Sequence, residues 1–389
     1  PSQAHGNFGT QHSSDTGSLG KWNGKLYPFE CTVLSQASDT FPYSKSFKSG
    51  SLGECIHKVK VKKRNILREK LEKWNLIDMK KEETTPKYVL QNPVAEIIDG
   101  ETLVKVATSK DTTYYCDKNV LLGEGGFACV YKGYGIIGNE KIPVAVKFVK
   151  YDTVSQFCQD KELGRVPSEV YFMKQMKYHP NVIEFLHYER VSSDEFVIIC
   201  ERPPNCKDLH DVRRDRGGIF MEHAAKKYIK TLVDVIIAMQ KKDIVHRDIK
   251  LENILYDVDK DEIKLIDFGL ATKHKPGQLY HLFSGTETNV PPELVTTGLY
   301  DPSKEAVRSL GSLIYEMLYG RLPYNDYKNF SDVTLGLPNL NYLPDDVKDL
   351  VTRLLAIKPE DRPCIKQVAK HRWLRTKRSF ISWLSSFAR

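Results

Sequence analysis

Between Ile244 and Leu255 the chain reads Ile-Val-His-Arg-Asp-Ile-Lys-Leu-Glu-Asn-Ile-Leu, which sets an aspartate, a lysine and an asparagine in order between two apolar anchors. Asp248 can accept or orient the proton of an attacking hydroxyl. Lys250 can neutralise an anionic group in transfer, and Asn253 offers a hard amide oxygen to magnesium. Further on, Lys264-Leu265-Ile266-Asp267-Phe268-Gly269 ends an apolar strand in a carboxylate, a second donor of the kind magnesium takes. Upstream, the run Leu122-Gly123-Glu124-Gly125-Gly126-Phe127-Ala128-Cys129-Val130 reads as two strands joined by a glycine-rich turn. Such a turn lets backbone N–H groups reach phosphates with no Cβ in the way, although Ala128 stands where a third glycine would complete a GxGxxG pattern. Pro143-Val144-Ala145-Val146 then leads an apolar run into Lys147. A buried ammonium needs a partner, and Glu169, in the helical stretch Val166 to Met176, is the natural one. With a nucleotide bound, Lys147 would face its α- and β-phosphates while Glu169 fixes the lysine rotamer. Any single aspartate here could be a helix cap or a turn residue. The ordered set points instead to phosphoryl transfer, in which a carboxylate suffices as base because positioning and charge stabilisation dominate.

Positioning these groups requires a small β-rich lobe for the turn and Lys147, followed by a larger helical lobe. The pattern agrees: short β-branched runs (Val144 to Val149, Phe196 to Ile199) alternate with turns, and helical periodicity dominates from about Glu222. The predicted fold is therefore α+β and bilobal, over about residues 114–374, with lobes at about 114–201 and 205–374. Residues 1–53, rich in Ser, Gly, Gln and Thr, read as a disordered polar tail. The basic run Lys58 to Arg64 leads into Leu67, Leu71 and Trp74 at helical spacing, so 54–113 read as a basic helical segment and an extension of obscure role, β-leaning from Tyr88 to Val106. A tail at 375–389 places Phe380, Trp383, Leu384 and Phe387 on one helical face, suited to docking on the body of the protein. The 389 residues carry a net charge of +8, but 50 acidic residues are interleaved, so bulk charge favours anionic partners only mildly. The eight cysteines form no CxxC pair, which argues against a zinc site or disulfide framework and for reduced thiols in cytoplasm or nucleus. The most apolar stretch, Tyr228 to Met239, contains Lys230 and Asp234 and is too short to span a bilayer. No nucleic-acid reader motif is present, and a monomer is expected.

These motifs resemble the eukaryotic protein kinase set over roughly two-thirds of the chain. Pro291-Pro292-Glu293 resembles the family's APE element and Asp361-Arg362-Pro363 the late arginine that bolts to it. Lys250 after Asp248 matches the serine/threonine pattern. The resemblance implies ATP and Mg²⁺ as cofactors, protein substrates with Ser or Thr acceptors, Asp248 as base, and Asn253 and Asp267 as metal ligands. Retention of Lys147, Asp248, Asn253 and Asp267 separates this reading from its rival, a pseudokinase scaffold. A closer similarity is to the Pim kinases, through Arg165-Val166-Pro167-Ser168-Glu169 as the start of the αC helix and Glu201-Arg202-Pro203-Pro204 as the hinge. Pro203 has no N–H, so adenine would rely on the Glu201 carbonyl and on Leu122, Val130, Ala145, Leu255 and Ile266, with Gly123 and Gly125 above the phosphates and Cys200 as a small gatekeeper. The family pattern also implies Asp208, Asp211 and Glu252 as acids that hold basic substrate residues, Thr286 as a partner of Asp248 and Lys250, and activity without obligatory activation-loop phosphorylation. If the segment carries a modification site, Ser284 is the one expected. Departures are Arg321 where the Pim pattern is acidic, with Lys328 following nearby, Arg308 for a tryptophan and Asn289 for a tyrosine; Ala306, in place of a bracing aspartate, is shared with the Pim pattern.

Overall fold

The computed structural model describes residues 95–125, 128–323 and 338–375. The polar tail, the basic segment up to residue 94, the C-terminal tail from residue 376, and Gly126, Phe127, Tyr324 and Lys328 lie outside the described residues. Strands β1 (Ala95–Ile98), β2 (Glu101–Ser109), β3 (Thr112–Glu124), β4 (Ala128–Ile137) and β5 (Glu140–Lys150) follow one another as antiparallel neighbours. A hairpin of β6 (Phe157–Asp160) and β7 (Gly164–Pro167) then leads into helix α1 (Ser168–Met176), and β8 (Phe185–Arg190) and β9 (Glu195–Glu201) return to the sheet. The sheet order is β1-β2-β3-β4-β5-β9-β8.

Both faces of this sheet are covered. Val144, Val146 and Phe148 alternate along β5 onto one face, where they meet Val197 and Ile199 of β9, Tyr114 and Cys116 of β3, and Val106 and Ala107 of β2 in a core of their own. The sheet curls until β2 lies against β8, and Tyr114 stacks on His187 with ring centroids 5.6 Å apart. On the opposite face Val149, Phe196 and Ile198 pack with Val170, Phe172, Met173 and Met176 of α1, in a core that continues into the helical lobe. β-branched and aromatic side chains suit such a pleated, doubly covered layer.

One element differs from its sequence-based expectation. Val166 lies in β7 rather than in a helix, and α1 begins two residues later, at Ser168. Pro167 explains the shift: a residue preceding proline is driven to extended backbone, so Arg165 and Val166 pair with Gln159 and Cys158, and the helix starts just after the proline.

The helical lobe opens with β10 (Cys206–Asp208), α2 (Leu209–Asp215) and α3 (Glu222–Gln240). Ala225, Tyr228, Ile229, Leu232, Val233, Val235, Ile236 and Met239 line the buried face of α3 at the spacing of a 3.6-residue repeat. β11 (Ile244–Val245), β12 (Ile254–Asp257), β13 (Glu262–Leu265) and β14 (Thr272–Lys273) are short. They hold the loops between them at fixed heights: β12 pairs with β10 and β13, and β11 with β14. Next come α4 (Pro292–Thr297), α5 (Pro302–Tyr319) and α6 (Asp345–Leu354). Asp301 caps α5 by accepting from the Ser303 N–H at 2.8 Å, and Gly320 ends it in the left-handed conformation. Thirteen residues of α5 are buried, among them Glu305 and Arg308. Arg362 donates from both guanidinium NH2 groups to Glu293, at 2.7 and 2.6 Å, which is the bolt expected from the sequence. No helix among the described residues is long and apolar enough to cross a membrane.

Candidate active site

β3 and β4 end in the glycine-rich turn, closed by the Gly125 N–H donating to the Ala128 carbonyl at 2.9 Å. Lys147 sits on β5 opposite Val130 of β4 and Ile198 of β9, so its backbone is fixed on both sides. Its ammonium lies 2.5 Å from Glu169 Oε1, carried on the first turn of α1, and 2.9 Å from Asp267 Oδ1. Burial opposes the lysine's charge, but the two carboxylates outweigh it and hold Lys147 well above the ordinary lysine range. Burial raises the Glu169 carboxyl against the pull of the lysine. Asp267 ends lowered to about 2: burial works against its charge, and Lys147 prevails. Its side chain remains open to the cleft, as a metal-binding carboxylate must be. Gly269 permits this packing, because a Cβ there would stand 3.1 Å from Asp267 Oδ1 and 3.6 Å from Glu169 Oε2.

β11 and β12 suspend the loop that carries Asp248. This carboxylate is buried and satisfied on both oxygens: Oδ1 accepts from the Thr286 hydroxyl at 2.6 Å, and Oδ2 from the Asn253 amide at 2.7 Å with the Lys250 ammonium 2.9 Å away. Lys250 also donates to Thr286 Oγ1 at 3.0 Å. Asp248, Lys250, Asn253 and Thr286 thus form one network. Because the Asn253 NH₂ is taken by the side chain and carbonyl of Asp248, its amide oxygen points the other way. That oxygen and the Asp267 carboxylate are the hard donors that suit Mg²⁺, so the residues present fit the ion. Beside them His246 Nε2 lies 3.0 Å from the Ile266 carbonyl, and its ring meets Phe268 edge-on at 5.0 Å. Burial lowers the affinity of His246 for a proton. Arg247 donates through Nε to the Leu270 carbonyl at 2.7 Å, and its guanidinium lies beside the Tyr300 hydroxyl. Arg247 and Asp267 both adopt left-handed backbone, with φ of 66° and 61°. Such conformations in non-glycine residues cluster at functional sites. Gly285 is required where it stands, since a Cβ would come within 2.6 Å of the Arg247 carbonyl.

At the back of the cleft Ala145 pairs with Cys200, and Val144 with Glu201. The Glu201 N–H donates to the Glu184 carbonyl at 3.0 Å, and its carboxylate takes the Glu184 N–H and the Lys264 ammonium. With that N–H spent and none on Pro203, the carbonyl is the group this strand end has for a ligand. Leu122, Val130, Ala145, Leu255 and Ile266 are all at least partly exposed.

The acids assigned to substrate divide by role. Asp208 caps α2 by accepting from the Asp211 N–H at 2.8 Å, a structural task, and burial raises its carboxyl. Asp211 pairs with Arg214 at 3.0 Å, while Glu252 is exposed. The sequence reading missed a row of polar side chains on α5 beneath the loop: Glu305, Ser309, Ser312 and Glu316. Burial raises Glu305 to about 8 and Glu316 to about 6. The available signal was acid and hydroxyl residues interrupting an otherwise apolar helix.

Residues 116–374 match the protein kinase domain family, two-thirds of the chain. The chain belongs to the protein kinase family, and serine/threonine kinases dominate its relatives. It is 33% identical over 263 residues to the serine/threonine-protein kinase pim-2 of Danio rerio, covering 65% of this chain and 83% of that one. It is also 33% identical over 264 residues to the serine/threonine-protein kinase prk-2 of Caenorhabditis elegans, covering 67% and 58%. The Aurora kinase of Schizosaccharomyces pombe is 32% identical over 260 residues, covering 65% and 69%. The Pim resemblance drawn from the hinge and helix start thus stands, among broader kinase similarity.

Proposed function

We propose that this protein transfers the γ-phosphoryl of ATP to serine and threonine hydroxyls of proteins. The observation that carries the reading is Lys147 held between Glu169 and Asp267, with Asp248, Lys250, Asn253 and Thr286 knit into one network. Lys147 binds and orients the α- and β-phosphates, and Glu169 keeps it extended. Asp248 receives the acceptor hydroxyl, oriented by Thr286 and Asn253, and Lys250 balances charge on the group in flight. Asn253 and Asp267 would hold Mg²⁺, which supplies neutralisation of phosphate charge. The Glu201 carbonyl and the apolar walls seat adenine.

Two finer features belong to the same proposal. Activity does not wait for a phosphate on the activation segment, because Arg247 already has its partners in Leu270 and Tyr300 and needs none from a phosphorylated residue. Basic residues upstream of the acceptor are favoured by Asp211 and Glu252. Arg321, the basic departure from the Pim pattern, stacks on the Tyr319 ring at 5.2 Å.

The test is incubation of the full chain with Mg-ATP and an arrayed peptide library, beside Asp267→Asn. Phosphate incorporation by the native protein alone is expected; equal signal from both would sink the reading. Phosphatase treatment should leave the rate within about twofold, and loss of activity would remove the phosphate-independent part.

A further inference from the structure

The last described stretch of the chain is a helical turn, Arg372–Arg375, fastened to two other helices. Trp373 is buried, its indole N–H donates to Glu222 Oε1 at the start of α3 at 3.0 Å, and the Lys226 ammonium lies over its ring at 5.8 Å. The Arg372 guanidinium lies 3.0 Å from Asp346 Oδ1 and His371 Nε2 2.9 Å from Asp349 Oδ2, both on α6. The point where the chain leaves the described body is thus fixed beside the starts of α3 and α6.

The approaches to those two helix starts are apolar and open. Ahead of α3, Phe220 is buried and its N–H donates to the Met317 carbonyl at 2.7 Å, while its neighbours Ile219 and Met221 are 48% and 71% exposed. Ahead of α6, Tyr342 is 75% exposed. The end of α5 joins the two: a Cβ at Gly320 would meet Ile219 Cγ2 at 3.2 Å, and the half-buried Tyr319 ring lies 5.8 Å from that of Tyr342. Single exposed apolar side chains are ordinary, but a connected run of them is the kind of surface a partner covers.

We infer that the partner is the chain's own C-terminal segment, residues 376–389, docked in cis with Phe380, Trp383, Leu384 and Phe387 against Ile219, Met221, Tyr319 and Tyr342. Three observations select this occupant. The segment follows Arg375 directly, and Phe380 comes five residues later, within about 17 Å of extended chain, while Met221 adjoins the Glu222 that Trp373 touches. Its four apolar residues recur at i, i+3, i+4 and i+7, with Ser382, Ser385 and Ser386 between them, so one face is suited to an apolar surface and the rest to water. Charge agrees, because Lys377 and Arg378 precede Phe380 and the exposed Asp345 opens α6 beside Tyr342. A second copy or a foreign protein would have to displace a segment tethered at about millimolar effective concentration.

Trypsin reads the contact, since Lys377 and Arg378 are its cleavage points at the root of the segment. The full chain is digested briefly and release of residues 379–389 is followed by mass, with cleavage elsewhere in the body as the control for loss of fold. Met221→Asp, Tyr342→Asp and Trp383→Asp should each speed release by roughly tenfold while body cleavage stays at the native rate. Trp383→Asp changes nothing in the described body, so it carries the test where a body variant disturbs folding. Met221→Asp combined with Trp383→Asp should release no faster than either alone, because both remove one contact. Native release as fast as that of Trp383→Asp overturns the docking. Acceleration by Trp383→Asp but by neither body variant, or rates that multiply in the double variant, overturns the assignment to this patch. Protection that strengthens with protein concentration, alongside a dimer in sedimentation, overturns docking in cis and makes a second copy the occupant.

Discussion

At the scale of single residues, charge is placed where burial would forbid it unless partners are present. Lys147 is the clearest case. Replacing it with methionine should lower kcat/KM by about 10²–10³-fold, the order lost with one preorganised charge donor; a variant with native rates would remove Lys147 from the chemistry. Glu305 supplies a second prediction. Its carboxyl titrates near 4.5 when unfolded and at about 8 in the native protein, so the native state keeps a proton the unfolded chain loses. That contribution is full below pH 4.5 and disappears as pH rises to about 8. Glu305→Gln should gain on the native protein between pH 5 and pH 8, by on the order of 2 kcal/mol in urea titrations. The same difference at both pH values would refute the assignment. Lys147 and Asp267 were legible because each ends an apolar run, and Asp248 and Asn253 because they stand in fixed order between two apolar anchors. Glu305, Ser312 and Asn289 were not, because their meaning comes from being buried in the folded helical lobe, which spacing along a chain does not encode.

At the scale of elements, local chemistry decided the boundaries. The turn between β3 and β4 and the suspended loop after β11 fell where glycine and short β-branched runs put them. Helix α1 did not: its apolar period extends back through Val166, but Pro167 stops the helix there and hands the preceding residues to β7. The Glu293–Arg362 pair joins α4 to the segment before Ile365 and is buried on both sides. Removing one partner strands the other charge, so Arg362→Ala should cost about 3–5 kcal/mol in chemical denaturation. A loss under 1 kcal/mol would show that the pair is dispensable.

At the scale of the whole molecule, the two lobes follow from the change of period, and that much could be read directly. The second core could not. Val144 and Val146 look like strand residues destined for burial, but nothing in β5 names β2 as the element that covers them. Leu103, on β2, is fully buried. Leu103→Ala should cost about 2–5 kcal/mol and lower the melting temperature of the β-rich lobe, even though it lies far along the sheet from Lys147. A thermal midpoint equal to that of the native protein would mean that β2 is an appendage rather than part of the lobe.

The curl of the sheet also bears on how much strand edge is open to a second chain. A strand edge is a template for recruiting another chain. With β2 lying against β8, one rim of the sheet is shielded by its own far side, and the outermost described strand, β1, is four residues long. The Glu96 carboxylate on it is held by the Tyr115 hydroxyl at 2.9 Å, which places a charge on the short border where lateral growth would begin. Among the described residues, the same winding that makes a second core therefore leaves little sheet edge on offer for aggregation.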